Sequence, residues 1–149
     1  MGTRSLIKFQ EDGETICAIY QQFDGYPEGV GATLFEFLDD ITIVNGLSVG
    51  QPERVANGVG CLAAQFIAQH KNGAGGFYMT YPDDSQEYNY LQEYNYIVNY
   101  SWEGEGWKAK LGEPVVTVTG SDDGLLFSDN LAEFGLFIAG YNDEEDEVA

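Results

Sequence analysis

A run of alternating side chains limits this chain more than any other feature. Between Glu87 and Trp102, the residues Tyr88, Tyr90, Tyr94, Tyr96, Val98, Tyr100 and Trp102 share one parity. Asn89, Glu93, Asn95, Asn99 and Ser101 share the other, broken by Leu91 and Ile97. A period of two belongs to the β-strand, whose successive side chains point to opposite faces. Glu-Tyr-Asn-Tyr occurs at 87–90 and again at 93–96, too short a unit for a solenoid. The segment is therefore two strands around Leu91-Gln92 or one long strand, and a β-sheet must be part of the fold.

Residues 5–21 predict a hairpin, because Asp12-Gly13 supplies the positive φ angles of a two-residue turn. A straight register pairs Glu11 with Glu14, Phe9 with Ile16, Ile7 with Ala18 and Ser5 with Tyr20 on one face. On the other face it pairs Lys8 with Cys17, Leu6 with Ile19 and Arg4 with Gln21. Further strands are expected at Gly76–Pro82, Lys108–Leu111 and Pro114–Thr119, with a brief strand or connector at Ile41–Val44. Helices are expected at about 30–39, from Pro52 to Lys71, and at about 129–139. Gly58 and Gly60 mark close packing in the second helix, or a break that makes 53–58 a separate turn. In the third, Asn130 and Glu133 fit a capping box and Gly140 fits the stop, after a turn at Asp123-Gly124. The pattern predicts an α+β domain over 1–141, an antiparallel sheet with about three helices on one face. The like-charged residues 142–149 are expected to be a disordered acidic tail.

Charge narrows the partners. The chain has 25 Asp and Glu against 6 Lys and Arg, a net charge of -19, while a hydrophobic fraction of 44% excludes disorder. Such a surface repels phosphate backbones and anionic membranes, so direct binding to nucleic acid or membrane is not expected. A basic protein surface is the natural macromolecular partner; the alternative is that the charge only maintains solubility. Residues 111–149 hold ten acids and no Lys or Arg, and residues 72–107 hold six acids and none. The second fact removes the cationic groove that a base-stacking tyrosine sheet requires. The tyrosines are then either the inner face of the sheet or a protein-binding surface. The outer ones, with their neighbouring acids, form the candidate interface: Tyr88, Tyr90, Tyr94, Tyr96, Glu87, Glu93, Asp122 and Asp123.

Catalytic signatures are thin. His70 is the single histidine and sits at the predicted end of a helix, where a basic group complements the dipole. Cys17 and Cys61 lack paired zinc spacing and lie in apolar stretches, so both are expected to be buried, reduced thiols. The pairs Asp39-Asp40, Asp83-Asp84 and Asp122-Asp123 do not follow a calcium loop and read as solvated charge. There is no phosphate loop and no kinase or hydrolase signature. No metal, cofactor or catalytic residue is expected. Met1 to Gln10 lacks the apolar core of an export signal, which with the free thiols predicts a cytoplasmic protein.

The most specific constellation joins Arg4 and Gln21 to the loop Asp24-Gly25-Tyr26-Pro27-Glu28-Gly29-Val30-Gly31. Arg4, Gln21, Asp24 and Tyr26, with the amides of Gly29 and Gly31 before a helix, could take a small anion such as a nucleotide. The structural alternative is an Arg4–Asp24 ion pair that ties the loop to the sheet. The opening Met-Gly-Thr-Arg-Ser, the stretch from Ile19 to Gly31 and the later Ala56-Asn57-Gly58-Val59-Gly60-Cys61-Leu62-Ala63-Ala64-Gln65 resemble a family of small uncharacterised proteins of bacteria and their phages. The likeness covers roughly residues 1–100 and carries over no catalytic residue. What it implies is an inhibitor of a host defence complex. The residues themselves predict a non-enzymatic acidic domain that covers a basic partner surface, with the anion binder as the alternative.

Overall fold

The computed structural model describes residues 2–47, 50, 54–81, 92–122 and 124–141. Asp12 and Gly13 take φ of 49° and 82° and reverse the chain between β1 (Ser5–Glu11) and β2 (Glu14–Gln21). The hairpin forms where expected, but its register slips after the first two pairs. Phe9 faces Cys17, Ile7 faces Ile19 and Ser5 faces Gln21, so Ile16 is an extra, bulged residue. The bulge has a clear packing cause. It brings Cys17 and Ile19 onto the face of Ile7 and Phe9, all of them buried, and leaves Ile16 42% exposed. Arg4 moves out of register with Gln21 as a consequence.

β2 pairs antiparallel with β5 (Phe77–Thr80). On its other side, β1 pairs with β6 (Tyr94–Tyr100), which continues into β9 (Val115–Gly120) and β10 (Leu125–Asn130). The β1–β6 pair is parallel, so the six-stranded sheet is mixed where an antiparallel one was expected. β5 already runs with β1, and β6 runs the same way but lands beside β1 rather than turning back on β5. The alternating run from Glu87 to Trp102 is thus a strand over its second half, Tyr94–Tyr100; residues 82–91 lie outside the described residues. Trp102–Glu103 (β7) and Lys110–Leu111 (β8) form a separate ribbon.

Three helices pack on one face of this sheet, as expected for the α+β class: α1 (Ala32–Asp39), α2 (Gly58–His70) and α3 (Leu131–Gly140). A wide π turn, Pro27–Gly31, leads into α1. α2 starts later than Pro52 because Gly58 takes φ of 85°, outside the helical region. Val55–Asn57 is instead extended (β4) and pairs in parallel with β3 (Thr42–Val44). The core joins Ile7, Phe9 and Ile19 of the first hairpin to Tyr96, Val98, Val116 and Val118, under Leu34, Phe37, Leu62, Phe66 and Phe134 of the helices. Asn130 caps α3 as predicted, its Oδ1 accepting from the Glu133 N–H at 2.9 Å.

Candidate functional site

The glycine loop is built into the body of the protein. Gly25 N–H donates to the Thr3 carbonyl at 2.9 Å, and Tyr96 Oη donates to the Gly25 carbonyl at 2.6 Å in a buried site. Asp24 takes φ of 58°, and its carbonyl accepts from Val30 N–H at 2.8 Å. Gly29 N–H donates to the Tyr26 carbonyl at 2.9 Å. The glycines are required by crowding. A β-carbon on Gly25 would stand 2.8 Å from both Ser5 Cβ and the Thr3 carbonyl oxygen, and one on Gly31 would stand 2.6 Å from Ile138 Cδ1. One on Gly29 would collide with the Asp24 carbonyl oxygen. Ser5 is fully buried beside this loop, and its hydroxyl has no partner among the described residues.

This geometry bears on both readings of the constellation. Among the described residues no ion pair joins Arg4 to Asp24; the Asp24 carboxylate accepts from the Tyr26 hydroxyl at 3.2 Å. Gln21 Nε2 donates to the Phe23 carbonyl at 3.3 Å. The amides of Gly29 and Val30 are spent inside the loop. Arg4 holds the neighbouring strand through its backbone, its carbonyl accepting from Glu93 N–H at 2.9 Å.

The candidate interface separates into parts. Tyr96 is core, and burial first, then the negative potential of Tyr94, Tyr141 and Glu28, raises its phenol well above the ordinary range. Tyr100 is also buried and raised by that burial. Tyr94 is half-buried and bonds the Tyr141 hydroxyl at 3.1 Å under the end of α3. Glu93 and Asp122 are exposed, Asp122 accepting from Gly124 N–H at 3.0 Å. Glu87, Tyr88, Tyr90 and Asp123 lie outside the described residues.

His70 does close α2: its Nδ1 bonds the Phe66 carbonyl at 2.8 Å, and its ring packs on Phe66 and Phe37. Cys17 is buried, which raises its thiol, but Cys61 is exposed and donates to Gln65 Oε1 at 3.2 Å. The expectation for Cys61 failed because helical periodicity puts position 61 on the face of α2 opposite the buried Val59–Leu62–Phe66 stripe, whatever the apolar character of its sequence neighbours. Beside α2, a shallow cleft of about 390 Å3 is lined by Phe37, Arg54, Gln65, Ala68 and Gln69, with Arg54 Nε paired to Asp40 at 3.3 Å.

Sequence reasoning missed the outer edge of the sheet. β10 and α3 leave Leu125, Leu126 and Leu136 at 66%, 44% and 67% exposure, beside the acids Asp122, Asp129 and Glu133. The available signal was the run Leu125-Leu126-Phe127, whose alternation is broken by an irregularity between Leu125 and Phe127. Among the described residues, no helix is long and apolar enough to cross a membrane. Comparisons with protein families, with curated proteins and with solved structures found no match to this chain.

Proposed function

We propose that this chain is a non-enzymatic acidic domain that binds a basic protein surface and competes there with nucleic acid. The resemblance to small bacterial and phage proteins makes a host defence complex the expected partner, with the chain as its stoichiometric inhibitor. One observation carries the reading: from Leu111 to Ala149 the chain has ten acids and no Lys or Arg. Of these, Glu113, Asp122, Asp129 and Glu133 are exposed on or next to β9, β10 and α3, an acidic field with no cation in the same elements. Such a field speeds encounter with a cationic surface and disfavours wrong partners. It also repels nucleic acid and anionic membrane from the free protein.

The experiment is a binding titration against nucleic-acid-handling defence complexes of a bacterial host, at low and high salt, with and without their nucleic acid. The expected result is a complex whose affinity falls steeply with salt and which displaces the bound nucleic acid. No complex at low salt, or one indifferent to salt, overturns the reading.

A further inference from the structure

We propose that β10 is a docking edge, to which an extended, lysine- or arginine-bearing segment of the partner adds as the next strand of the sheet. The inference rests on the acidic-binding reading and names the surface that performs it. β10 is the last strand of the sheet, and among the described residues no strand pairs with its outer side. A free edge presents a row of unpaired N–H and C=O groups, a template for an added strand. Natural edges are usually blunted by lysine, proline or shortness. Bulges serve the same end; Leu125–Asn130 runs for six residues with neither Lys nor Pro, and its one irregularity lies near its start, between Leu125 and Phe127. The opposite edge is treated differently. β5 has four residues, and Lys71 Nζ reaches across to the Phe77 carbonyl at 2.7 Å.

The surface beside β10 is also incomplete. α3 reads Leu-Ala-Glu-Phe-Gly-Leu-Phe-Ile-Ala-Gly, apolar on every side except at Glu133. A helix of that composition belongs in an interior. Here only Phe134 is fully buried, and Leu136 is 67% exposed. Phe137 stacks on Phe127 of β10 at 4.9 Å, which fixes the helix against the edge strand. On the strand itself, exposed Leu125 pairs with Thr119 and so lies on the face away from the helices.

Charge selects the occupant. Asp122, Asp129 and Glu133 are exposed around this edge, with no compensating cation anywhere after Lys110 in the sequence. A second copy of the chain would bring the same acids against these, in a protein of net charge -19. An added strand that alternates apolar and cationic side chains sets the cationic ones beside Asp129 and Glu133 on the helix side, their aliphatic stems over Leu136, and the apolar ones beside Leu125 on the other face, with the backbone row between them.

The probe is a short fluorescent peptide that alternates valine and lysine. Its companions are a valine–glutamate peptide and two lysine peptides N-methylated on alternate backbone amides, one for each parity. Binding is read by anisotropy, and the edge by amide hydrogen exchange. The expected result is that the lysine peptide binds, the glutamate peptide does not, and amides within 125–130 gain protection. One N-methylated parity should weaken binding about tenfold or more, because it removes several ladder hydrogen bonds at once. The exposed changes Asp129→Lys and Leu136→Ser should each weaken binding, while Glu14→Lys at the far hairpin turn should not. Equal loss from Asp129→Lys and Glu14→Lys, or indifference to both N-methylated peptides, overturns the edge. So does failure of the lysine peptide to bind while the salt-dependent complex with the defence machinery still forms; failure of both overturns the acidic-binding reading as well. Sedimentation that shows a dimer with β10 already protected assigns the edge to a second copy and overturns the basic occupant.

Discussion

Tyr96 Oη donates to the Gly25 carbonyl at 2.6 Å across the buried seam between the glycine loop and a central strand. This single bond connects residues far apart in the chain and satisfies an acceptor that water cannot reach. Tyr96→Phe leaves that carbonyl unpaired in the interior, which costs about 1–3 kcal/mol. Urea denaturation should show a lower midpoint with an unchanged slope. A midpoint equal to that of the parent protein would mean the loop closes without this bond.

Crowding at the loop makes a second, graded prediction. Gly25→Ala and Gly29→Ala each drive a methyl into backbone or strand atoms, and overpacking of this kind costs about 1–3 kcal/mol. Gly31→Ala meets the tip of the Ile138 side chain, which can rotate away, so its cost should be smaller. Thermal unfolding of the three variants orders them. A Gly31→Ala variant less stable than the other two contradicts the packing described here.

The sequence made the sheet legible wherever a local rule acted alone. Asp12-Gly13 specified the hairpin turn, and Asn130 with Glu133 specified the start of α3 within a residue or two. It failed where tertiary packing chose between local options. The bulge at Ile16 is invisible locally, because both registers alternate acceptably and only the helices above decide which buries Ile19. The parallel placement of β6 against β1 depends on where the chain returns, not on the composition of either strand. At the loop, the glycines read equally well as a cradle for an anion or as sites of close approach. Their contacts with Thr3, Ser5, Asp24 and Ile138 are long-range or conformational facts that spacing does not encode.

The two cysteines should differ sharply in reactivity. Cys61 is exposed on α2, whereas Cys17 is buried in the core and its thiol is raised by that burial. An aromatic disulfide reagent should modify one thiol per native molecule and both after denaturation, with peptide mapping placing the fast site at Cys61. Equal rates in the native protein would contradict the packing of β2.

Alkaline stability follows from the phenols. In the unfolded chain a tyrosine ionises near pH 10. Burial raises Tyr96 and Tyr100 above that in the fold. Above about pH 10 the unfolded state therefore holds fewer protons than the native one, so stability falls as pH rises. Below that pH the two phenols are protonated in both states and contribute no slope. Denaturation midpoints across this range should decline less steeply in Tyr96→Phe and Tyr100→Phe than in the parent. Parallel declines would place the alkaline sensitivity in other groups.

Arg4 and Asp24 lie on adjoining backbone segments, since Thr3 accepts from Gly25, yet no ion pair joins their side chains among the described residues. A double-mutant cycle tests this directly. Arg4→Ala and Asp24→Asn should add to within about 0.5 kcal/mol, as independent sites do. The Asp24 change has its own local cost, because the carboxylate accepts from Tyr26 at 3.2 Å, but asparagine retains an acceptor and tolerates the positive φ of 58°. Its single effect should therefore be small. Chemical denaturation of the four proteins gives the coupling, and the same four can be screened for stabilisation by nucleotides. A coupling well above this limit would restore the ion-pair clasp. Nucleotide stabilisation that disappears with Arg4→Ala would instead make the loop a ligand site, despite the internal bonds of its Gly29 and Val30 amides.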